Sequence, residues 1–174
     1  MQKMISAGAR VRDQCLAYAF IDSPVGRLLL AGNEQGLWLL SFAHGVNPVR
    51  PAETWQASEG SFREVKRQLA AYFSGELRKF TIPVHLVGTD FQCAVWNALA
   101  LIPYGSTWSY GELARCIGRP TAVRAVGAAN HANPVAIIVP CHRVIGSNGR
   151  LVGYGGGLMM KDRLLALERG DLFP

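Results

Sequence analysis

The stretch Pro140-Cys141-His142-Arg143-Val144 follows an apolar run over residues 134–139 and precedes a glycine-rich segment over residues 145–157. The apolar run is short, rich in β-branched residues and bounded by two prolines, which predicts a buried strand. Because proline ends regular strand pairing, we expect Cys141 where that strand gives way to a loop. A thiol beside an imidazole is a simple source of a nucleophile, since a nearby base or cation favours the thiolate.

The composition is that of a globular protein, with 49% hydrophobic and 17% charged residues in a chain of 174. The four cysteines have neither a disulfide framework nor the spacing of zinc ligands, so we expect reduced thiols, no metal and a cytoplasmic location. No apolar run reaches the roughly 18 residues that cross a bilayer, and residues 1–14 lack the apolar core of a secretory signal. We therefore expect no membrane partner, and we interpret residues 1–15 as an N-terminal tail.

The net charge of +6 suggests a polyanionic partner. Between residues 103 and 150 the only acid is Glu112, against five arginines: Arg115, Arg119, Arg124, Arg143 and Arg150. Arginine suits contact with phosphates and stacking on bases. The segment is interpreted either as a solvated basic face or as a surface that binds nucleic acid.

Residues 16–87 have the pattern of a small α+β domain. The predicted elements are a strand over 16–20, a hairpin of 27–31 and 36–42, and a helix from a capping box at Ser61 and Glu64 to Gly75. This half contains no catalytic constellation that the sequence reveals.

Residues 88–174 are predicted to form a second, mainly helical domain. Capping boxes at Thr89/Gln92 and Ser109/Glu112 each begin a helix, and the second of these helices closes at Gly118. A further helix is expected over residues 121–129. Two short helices joined by a turn that contains glycine form a helix-turn-helix.

The helix over residues 121–129 carries one long side chain, Arg124, among very small ones. Small residues allow close approach either to a neighbouring helix or to a nucleic-acid groove. Such a helix has few side chains that read base edges, so DNA binding would use phosphates and the minor groove with little sequence preference. Arg124 could then fill the gap that an extruded nucleotide leaves in the base stack.

Two features near the carboxy terminus are candidates for a functional site: the glycine-rich loop around Tyr154 and the carboxylate of Glu168. Four glycines surround Tyr154, which would expose backbone N–H groups beside an aromatic face and suit a planar ligand. The phosphate-binding motif GxxxxGK[ST] is absent, and we expect no nucleotide or other cofactor. On the predicted last helix, over 158–169, Glu168 shares a face with Leu164 and Leu165. A buried carboxylate needs a partner, which would be a local arginine or His142.

These motifs together resemble the O6-alkylguanine-DNA alkyltransferases, or methylated-DNA–protein-cysteine methyltransferases. The similarity covers residues 88–170 and rests on residues 140–144, preceded by Arg124-Ala125-Val126-Gly127 and Asn133-Pro134 and followed by residues 153–158. The resemblance implies an α+β protein. Its amino-terminal domain would be ribonuclease H-like, and its helical carboxy-terminal domain would be winged-helix-like with a helix-turn-helix.

The resemblance also implies a role for individual residues. Cys141 would accept the alkyl group once per molecule, and His142 would promote its thiolate through water. Glu168 would orient the imidazole and Asn133 would brace the turn. The implied DNA contacts are Arg124, Tyr110, Thr121, Ala125, Gly127 and Ala128. The implied pocket for the base is Val144, Tyr154, Gly155, Gly156 and Tyr110.

Two departures from some members of the family are visible. Some members have a serine after the loop tyrosine, whereas this chain has Gly155, which leaves only main-chain donors there. Some members bind zinc in the smaller domain, and the cysteine spacing here does not support such a site.

The function implied is DNA repair by direct reversal. An alkyl group, typically methyl, would pass irreversibly from O6 of guanine, and from O4 of thymine, in double-stranded DNA to Cys141. We expect a monomer, with clustering on DNA left open. The alternative is a cysteine hydrolase or amidase that uses Cys141, His142 and Glu168, which explains the triad but not the basic helix-turn-helix.

Overall fold

The structure is a computed structural model that describes residues 11, 14, 16–46 and 48–171. The predicted tail over residues 1–15, including Cys15, lies outside these residues except for Val11 and Gln14. No helix among the described residues has both the length and the apolar character that a membrane crossing requires.

A four-stranded sheet forms the amino-terminal half, in the order β3-β2-β1-β4. The strands are β1 (Ala17–Ile21), β2 (Leu28–Asn33), β3 (Gly36–Phe42) and β4 (Gln56–Ala57). The first three pair antiparallel, which confirms the predicted hairpin, and β4 pairs parallel to β1. Leu28 and Leu30 enter the main core while Leu29 and Ala31 enter a smaller core on the other face, as the two-residue period of a strand requires.

Helix α1 (Arg63–Phe73) lies where a helix was predicted and is followed by Gly75 at φ +79°. The predicted capping box is wrong: no described side chain caps the helix, and Ser61 instead bonds the Ser58 hydroxyl at 2.7 Å. A 3₁₀ turn over residues 60–62 comes first, so Ser61 lies inside that turn rather than at the start of the helix. Glu64 is free to pair with Arg67.

Four helices and a two-stranded sheet follow. They are α2 (Asp90–Leu99), β5 (Trp108–Ser109), α3 (Tyr110–Cys116), α4 (Val123–His131), β6 (Val144–Ile145) and α5 (Leu158–Arg169). The capping boxes of Thr89 and Ser109 are both confirmed. Helix α4 begins two residues later than predicted, and β5 pairs in parallel with β6.

The strand predicted over residues 134–139 is wrong. Val135 makes a single parallel bridge with Leu40, after which the chain turns through Ile137 at φ +70°. The Asn133 side chain holds this turn, because its Nδ2 donates to the Val139 carbonyl at 2.8 Å and its Oδ1 accepts from the Val135 N–H at 3.1 Å. The apolar run signalled burial correctly, but a short buried run has no periodicity that separates a strand from a buried turn.

Cys141 consequently begins a 3₁₀ turn, Cys141–Arg143, instead of ending a strand.

Candidate active site

Cys141 lines a cavity of about 360 Å³ between the two halves of the chain. Strand β3 contributes residues 39–42 to one wall, the end of α4 and its following turn contribute residues 130–134, and the glycine-rich loop contributes residues 153–155. Cys141 is itself only 5% exposed, so the cavity rather than the outer surface gives access to the sulfur.

Burial favours the neutral thiol form of Cys141. Burial raises the pKa of Cys141, and a hydrogen bond from Asn133 and the positive charge of Lys161 oppose that effect without cancelling it. A thiol is a poor nucleophile compared with its thiolate. A base must therefore take the proton before this sulfur can attack.

His142 is a suitable base because it is neutral. Its Nε2 lies 2.8 Å from Oε1 of Glu168, and since an ionised carboxylate only accepts, Nε2 carries the hydrogen. Burial lowers the pKa of His142, although Glu168 pulls it the other way. Nδ1 of His142 is then an acceptor, and it has no hydrogen-bond partner in the described part of the chain.

Glu168 is the centre of a buried network. Its Oε2 accepts from Nε of Arg143 at 2.8 Å and from the Gly105 N–H at 3.1 Å. Its Oε1 accepts from Nη2 of Arg143 at 2.9 Å and from the Tyr72 hydroxyl at 2.7 Å, in addition to His142. Burial raises the pKa of Glu168, but hydrogen bonds from His142 and Arg143 bring it below its ordinary value. Both partners considered from the sequence, an arginine and His142, are present at once.

Arg143 is therefore not part of a basic surface. Its side chain is buried, and Nη1 donates to the Ile102 carbonyl at 2.7 Å while the rest of the guanidinium binds Glu168. The other four arginines of the segment are exposed. The interpretation of all five arginines as a basic surface is therefore wrong for Arg143.

Tyr72 brings the amino-terminal half into this network. It belongs to α1 and is fully buried, with its hydroxyl on a carboxylate 96 positions further along the chain. It lies on the buried face of the helix with Val65 and Leu69, where a tyrosine is usually a core residue. No local pattern could have identified its partner.

Lys161 is a second residue that sequence reasoning missed. It is 0% exposed, and its Nζ donates to the carbonyls of Val144 at 2.6 Å and Val152 at 2.7 Å, which ties together the two ends of the intervening loop. Burial lowers the pKa of Lys161 to about 8, against the opposing influence of Cys141. Its position three residues before Leu164 and seven before Glu168, on the buried face of α5, was the available signal.

The glycine-rich loop packs against the amino-terminal half. Phe42 meets the ring of Tyr154 edge-on at 5.4 Å between centroids, and the Val46 N–H donates to the Gly155 carbonyl at 2.8 Å. A Cβ on Gly156 would lie 2.8 Å from the Phe42 ring, so the close approach requires glycine there. A Cβ on Gly155 would meet no described heavy atom within 4 Å.

The predicted pocket residues are not equally placed. Tyr154 and Gly155 line the cavity. Val144 is fully buried beside it, and its carbonyl is held by Lys161. Tyr110 is half-buried at the start of α3, and its hydroxyl donates to the Val152 carbonyl at 3.5 Å.

Helix α4 leaves a face of small residues open. Arg124, Ala125 and Ala128 are exposed, as is Thr121 just before the helix. A neighbouring helix therefore does not explain why these residues are small. Gly127 is the exception, since it is half-buried and a Cβ there would lie 3.8 Å from the ring of Tyr110.

The C-terminal end of α4 is fixed from the opposite side. Nε1 of Trp96 donates to the Ala129 carbonyl at 2.8 Å. Asn130, which the sequence analysis did not select, follows as a buried residue that lines the cavity. Among the residues of 16–46 and 48–171, no three His, Cys, Asp or Glu side chains gather as metal ligands would.

Comparison with known families gives a match over each half of the chain. Residues 16–86 match the ribonuclease-like domain of 6-O-methylguanine DNA methyltransferase. Residues 90–170 match the DNA binding domain of 6-O-methylguanine DNA methyltransferase. The predicted α+β class, with a ribonuclease-like domain before a helical DNA-binding domain, is confirmed.

Individual relatives agree with these matches. The methylated-DNA–protein-cysteine methyltransferase of Methanosarcina acetivorans is 54% identical over 151 residues, which is 87% of this chain and 97% of that protein. The crystal structure of the Mycobacterium tuberculosis O6-methylguanine methyltransferase is 51% identical with a TM-score of 0.83, over 90% of this chain and 94% of that chain. The M. tuberculosis OGT in complex with DNA is also 51% identical, with a TM-score of 0.82 over 88% and 93% of the respective chains.

Proposed function

The chain belongs to the 6-O-methylguanine DNA methyltransferase family, and from that premise we propose that Cys141 is the residue that accepts the alkyl group. The chain repairs DNA by transferring an alkyl group to a cysteine. The observation that carries the assignment is the cavity beside Cys141, with the neutral imidazole of the next residue held by Glu168. By contrast, the thiol of Cys93 faces backbone carbonyls at 3.8 Å, and Cys116 lies at the surface.

The chemistry begins with a proton transfer. The Cys141 thiol loses its proton, through a water molecule, to Nδ1 of His142, which is the unprotonated nitrogen. Glu168 holds the imidazole in that tautomer and stabilises the imidazolium that forms. Lys161 lies close enough for its charge to favour the thiolate.

The transfer itself makes one bond and breaks one. The thiolate attacks the alkyl carbon, an S–C bond forms, and the bond from that carbon to O6 breaks. The electron pair passes to the guanine, which takes up one proton to balance the proton that the thiol lost. The product is a thioether without a hydrolytic exit, so each molecule reacts once.

The burial of Cys141 requires a nucleotide outside the helical stack. A base within a duplex cannot bring its O6 to a cysteine that is 5% exposed inside a cavity, whereas an extruded base can enter the cavity. In this proposal, Arg124 takes the place of the extruded base. Tyr110 contacts the flipped nucleotide, and the loop around Tyr154 and Gly155 holds its ring.

The remaining DNA surface is the exposed face of α4. Arg124, Ala125 and Ala128, with Thr121, offer no polar pattern that could read base edges, so we propose minor-groove binding with little sequence preference. Four exposed arginines supply phosphate contacts. We also propose that the protein acts as a monomer in the cytoplasm and that O4-alkylthymine is a second substrate.

Intact mass tests the acceptor. After incubation with a duplex that contains O6-methylguanine, the wild type should gain one methyl group on the peptide that carries Cys141. Cys141→Ser should gain none and should still bind the duplex, whereas the control Cys93→Ser should react like the wild type. A methyl group on Cys141→Ser would contradict the assignment. Repeated release of acid or ammonia from an ester or amide, with no mass gain, would support the hydrolase.

Arg124 has its own test. Arg124→Ala should slow transfer from duplex DNA more than transfer from free O6-methylguanine base, because only the duplex needs its gap filled. Arg63→Ala removes another exposed arginine, on α1, and should leave both rates unchanged. If Arg124→Ala slowed transfer from the duplex and from the free base equally, Arg124 would not fill the gap left by the extruded base.

A further inference from the structure

The hydroxyl of Tyr72 connects the amino-terminal half of the chain to the candidate catalytic residues. Tyr72 lies on α1, is 0% exposed, and its hydroxyl donates to Oε1 of Glu168 at 2.7 Å. Burial and the adjacent carboxylate raise the pKa of Tyr72, so the hydroxyl keeps its hydrogen. Tyr72 is therefore a permanent donor to Glu168.

The oxygen that accepts from Tyr72 also accepts from His142. Nε2 of His142 lies 2.8 Å from Oε1 of Glu168, and Nη2 of Arg143 donates to the same oxygen at 2.9 Å. Each hydrogen bond to a carboxylate stabilises its charge, and a carboxylate that is already stabilised attracts a further proton less strongly. The Tyr72 hydroxyl consequently weakens the attraction between Glu168 and a proton on His142.

That attraction matters because His142 must be neutral before it can take the proton of Cys141. A carboxylate beside an imidazole favours the imidazolium, which cannot act as a base. Burial outweighs this effect here, and the pKa of His142 lies below its ordinary value. The other charged or titratable groups around the pair are Arg143 from the 3₁₀ turn, Lys161 from α5, Tyr154 from the glycine-rich loop, and Tyr104 after α2 with Arg78 over its ring.

We propose that Tyr72 is a positioning residue for the alkyl transfer, through which the ribonuclease-like domain limits how strongly Glu168 stabilises a proton on His142. This inference rests on the proposed function, because it assumes that His142 takes the proton of Cys141. Tyr72 acts through Oε1 of Glu168 and needs no contact with the base. The amino-terminal domain then takes part in the chemistry, in addition to forming a wall of the cavity.

Tyr72→Phe tests the proposal, because it removes the hydroxyl and keeps a ring that packs against Phe73 and Tyr104. Without this donor, Oε1 attracts the proton on His142 more strongly, so the pKa of His142 should rise. Methyl gain on Cys141 from a duplex with O6-methylguanine should then begin to slow at a pH about one unit higher than in the wild type.

Two measurements report this shift. Mass spectrometry at a series of pH values gives the rate of methyl gain, and NMR titration of the His142 imidazole in the unreacted protein gives its pKa without any substrate. A change in packing alone would slow the reaction by the same factor at every pH and leave both midpoints in place. That result for Tyr72→Phe would overturn the proposal.

Tyr104→Phe is the matched control. Its ring meets that of Tyr72 edge-on at 6.1 Å between centroids, but its hydroxyl donates to the Leu167 carbonyl at 3.5 Å rather than to Glu168. This variant should keep both midpoints of the wild type. An equal upward shift in Tyr104→Phe and Tyr72→Phe would overturn the specific role of the Tyr72 hydroxyl.

A second variant keeps the test decisive if Tyr72→Phe does not fold. A ring-fluorinated tyrosine at position 72 keeps the hydroxyl and makes it a stronger donor, so both midpoints should move to lower pH. Unchanged midpoints with normal methyl gain would overturn this inference and leave the transfer to Cys141 intact. Absence of methyl gain from the wild type at every pH would overturn the proposed function and, with it, the part that Tyr72 takes in the reaction.

Discussion

The two nitrogens of His142 face regions of opposite character. On the Nε2 side lies Glu168, whose carboxylate accepts from His142, Arg143, Tyr72 and the Gly105 N–H. Nδ1, by contrast, has no partner within the described chain, and neither do Oδ1 of Asn130 and the Tyr154 hydroxyl, which belong to residues that line the cavity beside Cys141.

This difference shows how the fold divides its work. Buried polar groups are normally paired, and the Glu168 network obeys that rule with donors from three separate parts of the chain. The opposite side departs from the rule where Asn130 and Tyr154 line the cavity beside Cys141. Such unpaired groups are suited to a substrate and to a relaying water. The Glu168 network fixes the orientation of the imidazole, while the unpaired groups that line the cavity remain available for the reaction.

The largest expected change in stability comes from breaking the hydrogen-bond network around Glu168. Glu168→Ala leaves the Arg143 guanidinium buried without its counter-charge, so the free energy of unfolding should fall by about 3–5 kcal/mol. Alkyl transfer should slow as well, because His142 loses its orienting partner. Denaturant unfolding and the rate of methyl gain measure the two effects.

Asp162→Ala is the control for this experiment, because it removes an exposed carboxylate from the same helix, α5. Its effect on unfolding should stay within about 0.5 kcal/mol. If Glu168→Ala lowered the free energy of unfolding no more than Asp162→Ala does, the Glu168 network would not stabilise the fold.

A smaller effect is expected where the cavity wall meets strand β3. Gly156→Ala places a methyl group 2.8 Å from the Phe42 ring, and the overpacking should lower the free energy of unfolding by about 2 kcal/mol. Gly155→Ala is the matched control, because its methyl group would enter open space next to the same loop. Denaturant unfolding of the pair measures the difference. Equal stabilities would show that the loop adjusts freely and that β3 does not fix the wall.

The smallest effect is the pH dependence of the transfer rate, which reports the protonation of Nδ1 of His142. A tenfold change in rate per pH unit corresponds to about 1.4 kcal/mol in activation free energy. Because the pKa of His142 lies below its ordinary value of 6.5, the imidazole should remain a base at neutral pH. The rate of transfer should then be level above pH 6.5 and fall tenfold per unit once the pH drops below the pKa of His142.

The sign of this profile separates two mechanisms. A thiolate formed without help from His142 would make the rate climb tenfold per unit toward pH 9.0, the ordinary pKa of a cysteine, which burial raises further here. A level profile between pH 6.5 and 9.0 supports proton transfer to His142. A steady climb through that range would contradict it.

Local chemistry made part of this molecule predictable from its sequence. The capping boxes at Thr89 and Ser109 fixed two helix starts, because each is a contact between residues three positions apart. The helical spacing of Leu164, Leu165 and Glu168 predicted a buried acid, and the acid is buried. The need of a buried carboxylate for a partner predicted an arginine or His142, and both contact it.

What the sequence could not indicate depends on distant partners. Tyr72 and Glu168 are brought together only by the tertiary fold, and the unpaired oxygen of Asn130 is visible only after its neighbours are placed. The apolar run before Cys141 was mistaken for a strand because burial and strand structure produce the same composition. Asn133, through its two backbone bonds, decides that the run turns instead.

The contact between β3 and the glycine-rich loop has a consequence for how the protein is made. Residues 36–46, which carry Phe42 and the Val46 N–H, leave the ribosome long before residues 153–156. Because domains generally fold as units from the amino terminus during synthesis, the sheet can serve as a finished surface on which the later loop settles. A circular permutant that begins at residue 88 would reverse this order and should acquire activity more slowly after translation.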